Sequence, residues 1–173
     1  MKRVQENENK IYDQRAELAM EVHGIAKRYG KVVAVEEVSF DVPVGRIFGL
    51  LGPNGAGKTT SIRMISGLLK PERGSIKLHG EPLSAKSITM VGLCPQELAI
   101  WDNLTVMEQL LYAASIYDVP RALAKERASS LLSDLQMTEH QRKFGSALSG
   151  GMKRRLNIML ALMHDPKLSL IHI

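Results

Sequence analysis

The chain has 173 residues, 45% of them apolar and 24% charged, with a formal net charge of +5. That is enough for one domain with a buried core, and too apolar for a disordered tail. Its longest apolar stretches, such as 158–163, fall far short of a membrane span, and the polar start Met1–Lys10 lacks the apolar segment of a secretory signal.

The single cysteine, Cys94, excludes an internal disulfide framework and fits a reducing compartment. Basic residues cluster at Arg142-Lys143 and Lys153-Arg154-Arg155. Only 5% of residues are aromatic, so these clusters read as solvated helix faces and no nucleic-acid partner is expected.

Residues 1–19 read as a polar N-terminal extension, frayed or briefly helical. Two valine-rich β-type runs follow, 20–28 and 32–42, with Tyr29-Gly30-Lys31 as the turn between them. Gly45 opens a nearly all-apolar run, 46–51, which suits a strand buried on both faces of a parallel sheet. The glycine-rich stretch Gly52–Gly57 leads into a helix from Lys58 to about Leu69, with Ile62, Ile65 and Leu69 on one face. Pro71-Glu72-Arg73-Gly74 is a turn signal, and 75–79 and 89–93 read as further strands. From Thr105 to Met163 the period is helical; Pro120 opens one helix, and Gly145, Gly150 and Gly151 mark another boundary. The run 167–173 is again strand-like. Strands, glycine loop, helix, strands, helical block and strand imply an α/β fold with an inserted helical subdomain.

Gly52-Pro53-Asn54-Gly55-Ala56-Gly57-Lys58-Thr59 fits the phosphate-loop pattern of Gly, four residues, Gly-Lys-Thr. Glycines permit the backbone conformations and close approaches that a side chain blocks. The amides of residues 55–60, Thr60 included, are expected to face phosphate oxygens at a helix N-terminus, whose unpaired donors and dipole favour an anion. Lys58 places an ammonium between β- and γ-phosphates, and the Thr59 hydroxyl is a ligand for Mg²⁺. The motif alone leaves kinases, GTPases and ATPases open.

A second anion corner narrows this. Leu148-Ser149-Gly150-Gly151-Met152 resembles the signature motif of ABC transporter ATP-binding subunits, with Met152 where Gln is usual. The order Tyr29, phosphate loop, Pro95-Gln96, then Leu-Ser-Gly-Gly resembles that family from about residue 20 to 168, and Asn103–Leu110 resembles its drug-exporter and ABC-2-type members. The resemblance implies a P-loop NTPase (RecA-like) core with an antiparallel β subdomain and an inserted helical subdomain. Expected divisions are a nucleotide-binding core at 20–95, a Q-loop and helical subdomain at 96–148, and a signature helix and final strand at 149–173. It implies ATP and Mg²⁺ as cofactors, Tyr29 stacking on adenine, Gln96 touching Mg²⁺ and the attacking water, and Ser149, Gly150 and Gly151 facing the ATP of a second subunit. The implied partners are another ATP-binding domain, as homodimer or heterodimer, and a membrane permease, at the inner face of the cell membrane.

The chain departs from the family at its last strand. Aligned from Lys167, His172 and Ile173 fall where the family carries Asp and Glu. Imidazole is a poor partner for Mg²⁺ and isoleucine is no base. The expectation is a shortened, hydrolysis-deficient chain with an exposed apolar face. Leu168–Ile173 also reads as the translation of a transposon-library adapter, CTG-TCT-CTT-ATA-CAC-ATC. The alternatives to a transport subunit are a non-catalytic nucleotide-binding fragment, a soluble non-transport ABC ATPase, and another P-loop enzyme.

Overall fold

The computed structural model describes residues 17–172; most of the expected N-terminal extension, and Ile173, lie outside the described residues. The chain divides into two compact units, one up to Ser84 and one from Ala85.

The valine-rich runs of the first unit form a hairpin. β1 (Leu18–Tyr29) and β2 (Val32–Pro43) pair antiparallel across Gly30-Lys31, with Tyr29 opposite Val32. Gly30 has φ 59°, the left-handed conformation that a two-residue hairpin turn demands. Leu18 and Ala19 already belong to β1, so the sheet begins inside the stretch read as an extension. β3 (Arg73–Leu78) pairs with the other side of β1, and β4 (Glu81–Pro82) completes the order β2-β1-β3-β4. The turn expected at 71–74 is strand from Arg73 onward. Gly74, at φ 84°, lies against the backbone of His23 and Gly24, where a Cβ would collide. The register shift between His23 and Ala26 is the bulge that close approach creates.

α1 (Lys58–Ile65) packs on β1 and β2, burying Met64 and Ile65, while Met20, Val22, Ile76 and Leu78 are buried from the sheet. It stops short of Leu69 because Gly67 turns left-handed at φ 71° and donates to the Met64 carbonyl at 3.0 Å.

The expected buried strand at 46–51 is not one. Those residues have no strand pairing, Ile47 and Leu51 are almost wholly exposed, and Phe48 stacks on Phe40 with ring centroids 4.7 Å apart. The physical reason is the lack of a ladder. The β2 side closes with the Val44 amide on the Glu17 carbonyl, and Gly45, at φ 71°, turns the chain away. Both sides of β1 are taken by β2 and β3. Apolar composition fits a buried parallel strand, but only flanking strands make one.

In the second unit, a 3₁₀ turn at Ser87–Met90 precedes β5 (Val91–Cys94), which pairs parallel with β6 (Leu168–Ile171) from Val91 opposite Leu168 to Cys94 opposite Ile171. The strand read at 89–93 thus starts two residues later. α2 (Val106–Ile116), α3 (Arg121–Asp134) and α4 (Gly150–Leu162) pack around Val106, Leu110, Ala114, Ala128, Leu156 and Met159, all buried. Thr105 and Glu108 form a capping box at α2: the Glu108 amide donates to Thr105 Oγ1 at 3.2 Å, and the Thr105 amide to Glu108 Oε2 at 2.7 Å. Those bonds hold the Glu108 carboxyl below its ordinary value, the backbone bond from Thr105 contributing most. Of the basic cluster, Lys153 pairs with Asp102 at 3.2 Å and Arg155 donates to the Leu135 carbonyl at 3.1 Å. No helix among the described residues is long and apolar enough to cross a membrane.

Candidate functional site

The loop 52–60 takes its shape from three features. Gly55 and Gly57 both have φ 82°, a region L-residues avoid. Gly57 also presses against β2, where a Cβ would collide with the Ala34 carbonyl oxygen and come within 2.9 Å of Val35. Lys58 folds back over the loop and donates to the carbonyls of Gly52 at 2.6 Å and Pro53 at 2.8 Å. An ammonium has three N–H groups, so one remains for a ligand oxygen.

The backbone donors follow. Helical hydrogen bonding begins with the Ser61 amide on the Gly57 carbonyl at 2.8 Å. The amides of Gly55, Gly57, Lys58 and Thr60 have no backbone partner among the described residues, as at any helix start. The Ala56 amide donates to the Pro53 carbonyl at 3.2 Å and so shapes the loop. Pro53 and Asn54 lie on the exposed outer turn, and Thr59 is exposed at the helix start. Unpaired amides and an ammonium on one loop are the donor set of a polyphosphate.

Tyr29 closes β1 at the hairpin tip, half-exposed, with Lys27 Nζ 6.0 Å from its ring centre. Its pairing partner Val32 lies two residues, about 7 Å of strand, from the Ala34 that seats Gly57. A cavity of about 380 Å³ opens beside this ribbon, lined by Ala26, Arg28, Val33, Val35, Glu36 and Glu72 among others. It shares Val35 with the seat of Gly57, and Tyr29 is not in its wall.

In the second unit, Ser149 caps α4, its hydroxyl accepting from the Met152 amide at 3.3 Å. Gly150 and Gly151 are exposed, and a Cβ at either would meet nothing within 4 Å. Gly145, nearby in sequence, differs: a side chain there would strike the Trp101 carbonyl. Gln96 is exposed in the loop after β5.

Two residues missed in the sequence hold that loop. Asn157 of α4 donates to the Pro95 carbonyl at 3.1 Å and to Cys94 Sγ at 3.3 Å, and accepts from the Ala99 amide at 3.3 Å. Gln109 of α2 accepts from the Trp101 amide at 3.0 Å and donates to the carbonyls of Trp101 at 2.9 Å and Leu104 at 3.0 Å. Both are buried. The legible signal is an amide inside an apolar stripe, since a buried amide must find partners.

The family described as ABC transporter matches residues 35–171. The chain belongs to the ABC transporter family. It is 42% identical over 152 residues to the linearmycin resistance ATP-binding protein LnrL of Bacillus subtilis, a match covering 86% of this chain and 49% of that protein. It is 38% identical over 150 residues to the Nod factor export ATP-binding protein I of Ralstonia nicotianae, covering 85% and 47%. A solved ATP-binding subunit of an ABC transporter superposes with a TM-score of 0.79 at 31% identity, over 88% of this chain and 65% of that one. The chain spans about half the length of the curated relatives it matches. With the antiparallel sheet and the helical block, these likenesses place it in the P-loop NTPase fold class of ABC ATP-binding domains.

Proposed function

We propose that the chain is the ATP-binding part of an exporter-type ABC transporter. The observation that carries this is the pair of glycine corners, one with the unpaired amides of Gly55, Gly57, Lys58 and Thr60 and the Lys58 ammonium, the other open to the outside at 149–151. Exporter type rests on relatives whose names speak of Nod factor export and linearmycin resistance.

In this reading the amides of Gly55, Gly57, Lys58 and Thr60 and the third N–H of Lys58 hold the phosphates. The Thr59 hydroxyl of the first unit is a Mg²⁺ ligand; the Gln96 side-chain oxygen of the second is the same kind of hard oxygen and is read as a Mg²⁺ ligand in its own right. The metal, when bound, offsets charge on the phosphates. Tyr29 offers a π face to adenine, and the cavity beside Val35 offers room for the sugar. The partners are a second ATP-binding domain, identical or related, that meets this one through Ser149, Gly150 and Gly151, and a membrane permease at the inner face of the membrane.

The last strand sets a limit on turnover. His172 stands at the position of the family's metal-binding carboxylate, and its amide bonds to the Cys94 carbonyl at 3.0 Å. With imidazole there, this polypeptide binds ATP without hydrolysing it. Phosphate release from ATP and Mg²⁺ should stay at the level of Lys58→Ala; release that Lys58→Ala abolishes would refute the non-hydrolysing reading. Co-purification of a permease with this chain from its native host tests the transport reading, and stable partnership with ribosomes instead would contradict it.

A further inference from the structure

Asn157 lies eight residues beyond Ser149, about 12 Å along α4. The helix that carries the open glycine corner at its start therefore carries a buried amide two turns in, only 3% exposed. All three of its bonds fall on one short segment, Cys94, Pro95 and Ala99. The Pro95 carbonyl directly precedes Gln96, and the Ala99 amide follows it by three residues. One side chain thus fastens both ends of the Gln96 loop. The loop has left the β5 ladder by then, so Asn157 supplies its fixed points. Gln109 fastens the next stretch, 101–104, to α2, which carries no proposed ligand contact.

We propose that Asn157 is a positioning residue that ties the Gln96 loop to the signature helix, so that the placement of Gln96 for Mg²⁺ is set from α4. This rests on the reading of Gln96 as a metal ligand. A buried amide that only filled space would not need all its bonds on one loop; an oriented one does. Coupling follows from the geometry. A displacement of α4 at Ser149–Gly151 either drags the Gln96 loop with it or breaks three hydrogen bonds at once.

The chain carries its own reporter. Cys94, the only cysteine, is buried against the Asn157 amide. Burial pushes its thiol up, so it reacts slowly unless the loop opens. The experiment measures the rate at which dithiobis(nitrobenzoate) labels Cys94, and the affinity of the full chain for ATP with and without Mg²⁺. Two variants are used: Asn157→Leu, and Asn157→Asp, which keeps the shape and loses both donors. Expected are at least tenfold faster labelling in both, and loss of most of the Mg²⁺-dependent gain in ATP affinity with Mg²⁺-free affinity within twofold of wild type. Gln96→Ala should show the same Mg²⁺ loss, and the double variant with Asn157→Asp no further loss. In the wild-type chain, the Ala99 amide should exchange with solvent at least tenfold more slowly than that of Leu98. A folded variant with wild-type labelling, full Mg²⁺ dependence, or rapid exchange at Ala99 would each overturn the proposal. Should the wild-type chain bind no ATP, the nucleotide reading fails by itself, while labelling and exchange still decide whether Asn157 pins the loop.

Discussion

The two glycine corners look alike in sequence and differ in what demands their glycines. At Gly57 the demand comes from inside: φ is 82°, and a Cβ would run into the Ala34 carbonyl. At Gly150 and Gly151 it does not, since a Cβ there meets open space and both residues begin an ordinary helix. The first corner is a shape the fold imposes, with Lys58 bonded across it. The second is a shape the fold tolerates, so nothing inside the described fold accounts for its glycines. A glycine that costs helix stability and serves no internal packing is a mark of function, whereas one that avoids a collision is first a mark of architecture.

This contrast can be broken at four points. Gly57→Ala combines a left-handed backbone with a collision, and should cost about 2–4 kcal/mol in a urea unfolding curve; a loss under about 1 kcal/mol would erase the difference between the corners. Thr59→Ala should remove about tenfold of the Mg²⁺-dependent part of ATP affinity, roughly 1.4 kcal/mol, leaving the melting temperature alone; unchanged Mg²⁺ dependence would take the hydroxyl out of the metal site. Ser149→Ala loses a helix cap and should lower stability by about 1 kcal/mol. Gly151→Ala should fall within about 0.5 kcal/mol of wild type, on the stabilising side, because alanine favours helix. A large loss there would mean that the second corner is also shaped from within.

Much of this was legible in the sequence because period and turn chemistry are local. The valine-rich runs at 20–28 and 32–42 with the turn Tyr29-Gly30-Lys31 between them gave the hairpin, and the phosphate-loop spacing gave the Lys58 corner. Helix ends were less legible. α2 and α3 are followed by Asp118 and Gln136, both at φ 54°, left-handed residues without the glycine that usually marks such an ending. The run 46–51 misled because composition records a preference for burial, while a strand needs partners that composition does not name. In sequence, Asn157 and Gln109 are just polar members of helical stretches; their roles exist only where the loops 94–99 and 101–104 return to meet them.

The most direct measurement is a calorimetric titration of the chain with ATP and Mg²⁺, beside Lys58→Ala. The account predicts saturable one-to-one binding, weakened about 100-fold in Lys58→Ala while both proteins melt at the same temperature. Equal affinity in the two proteins would contradict it.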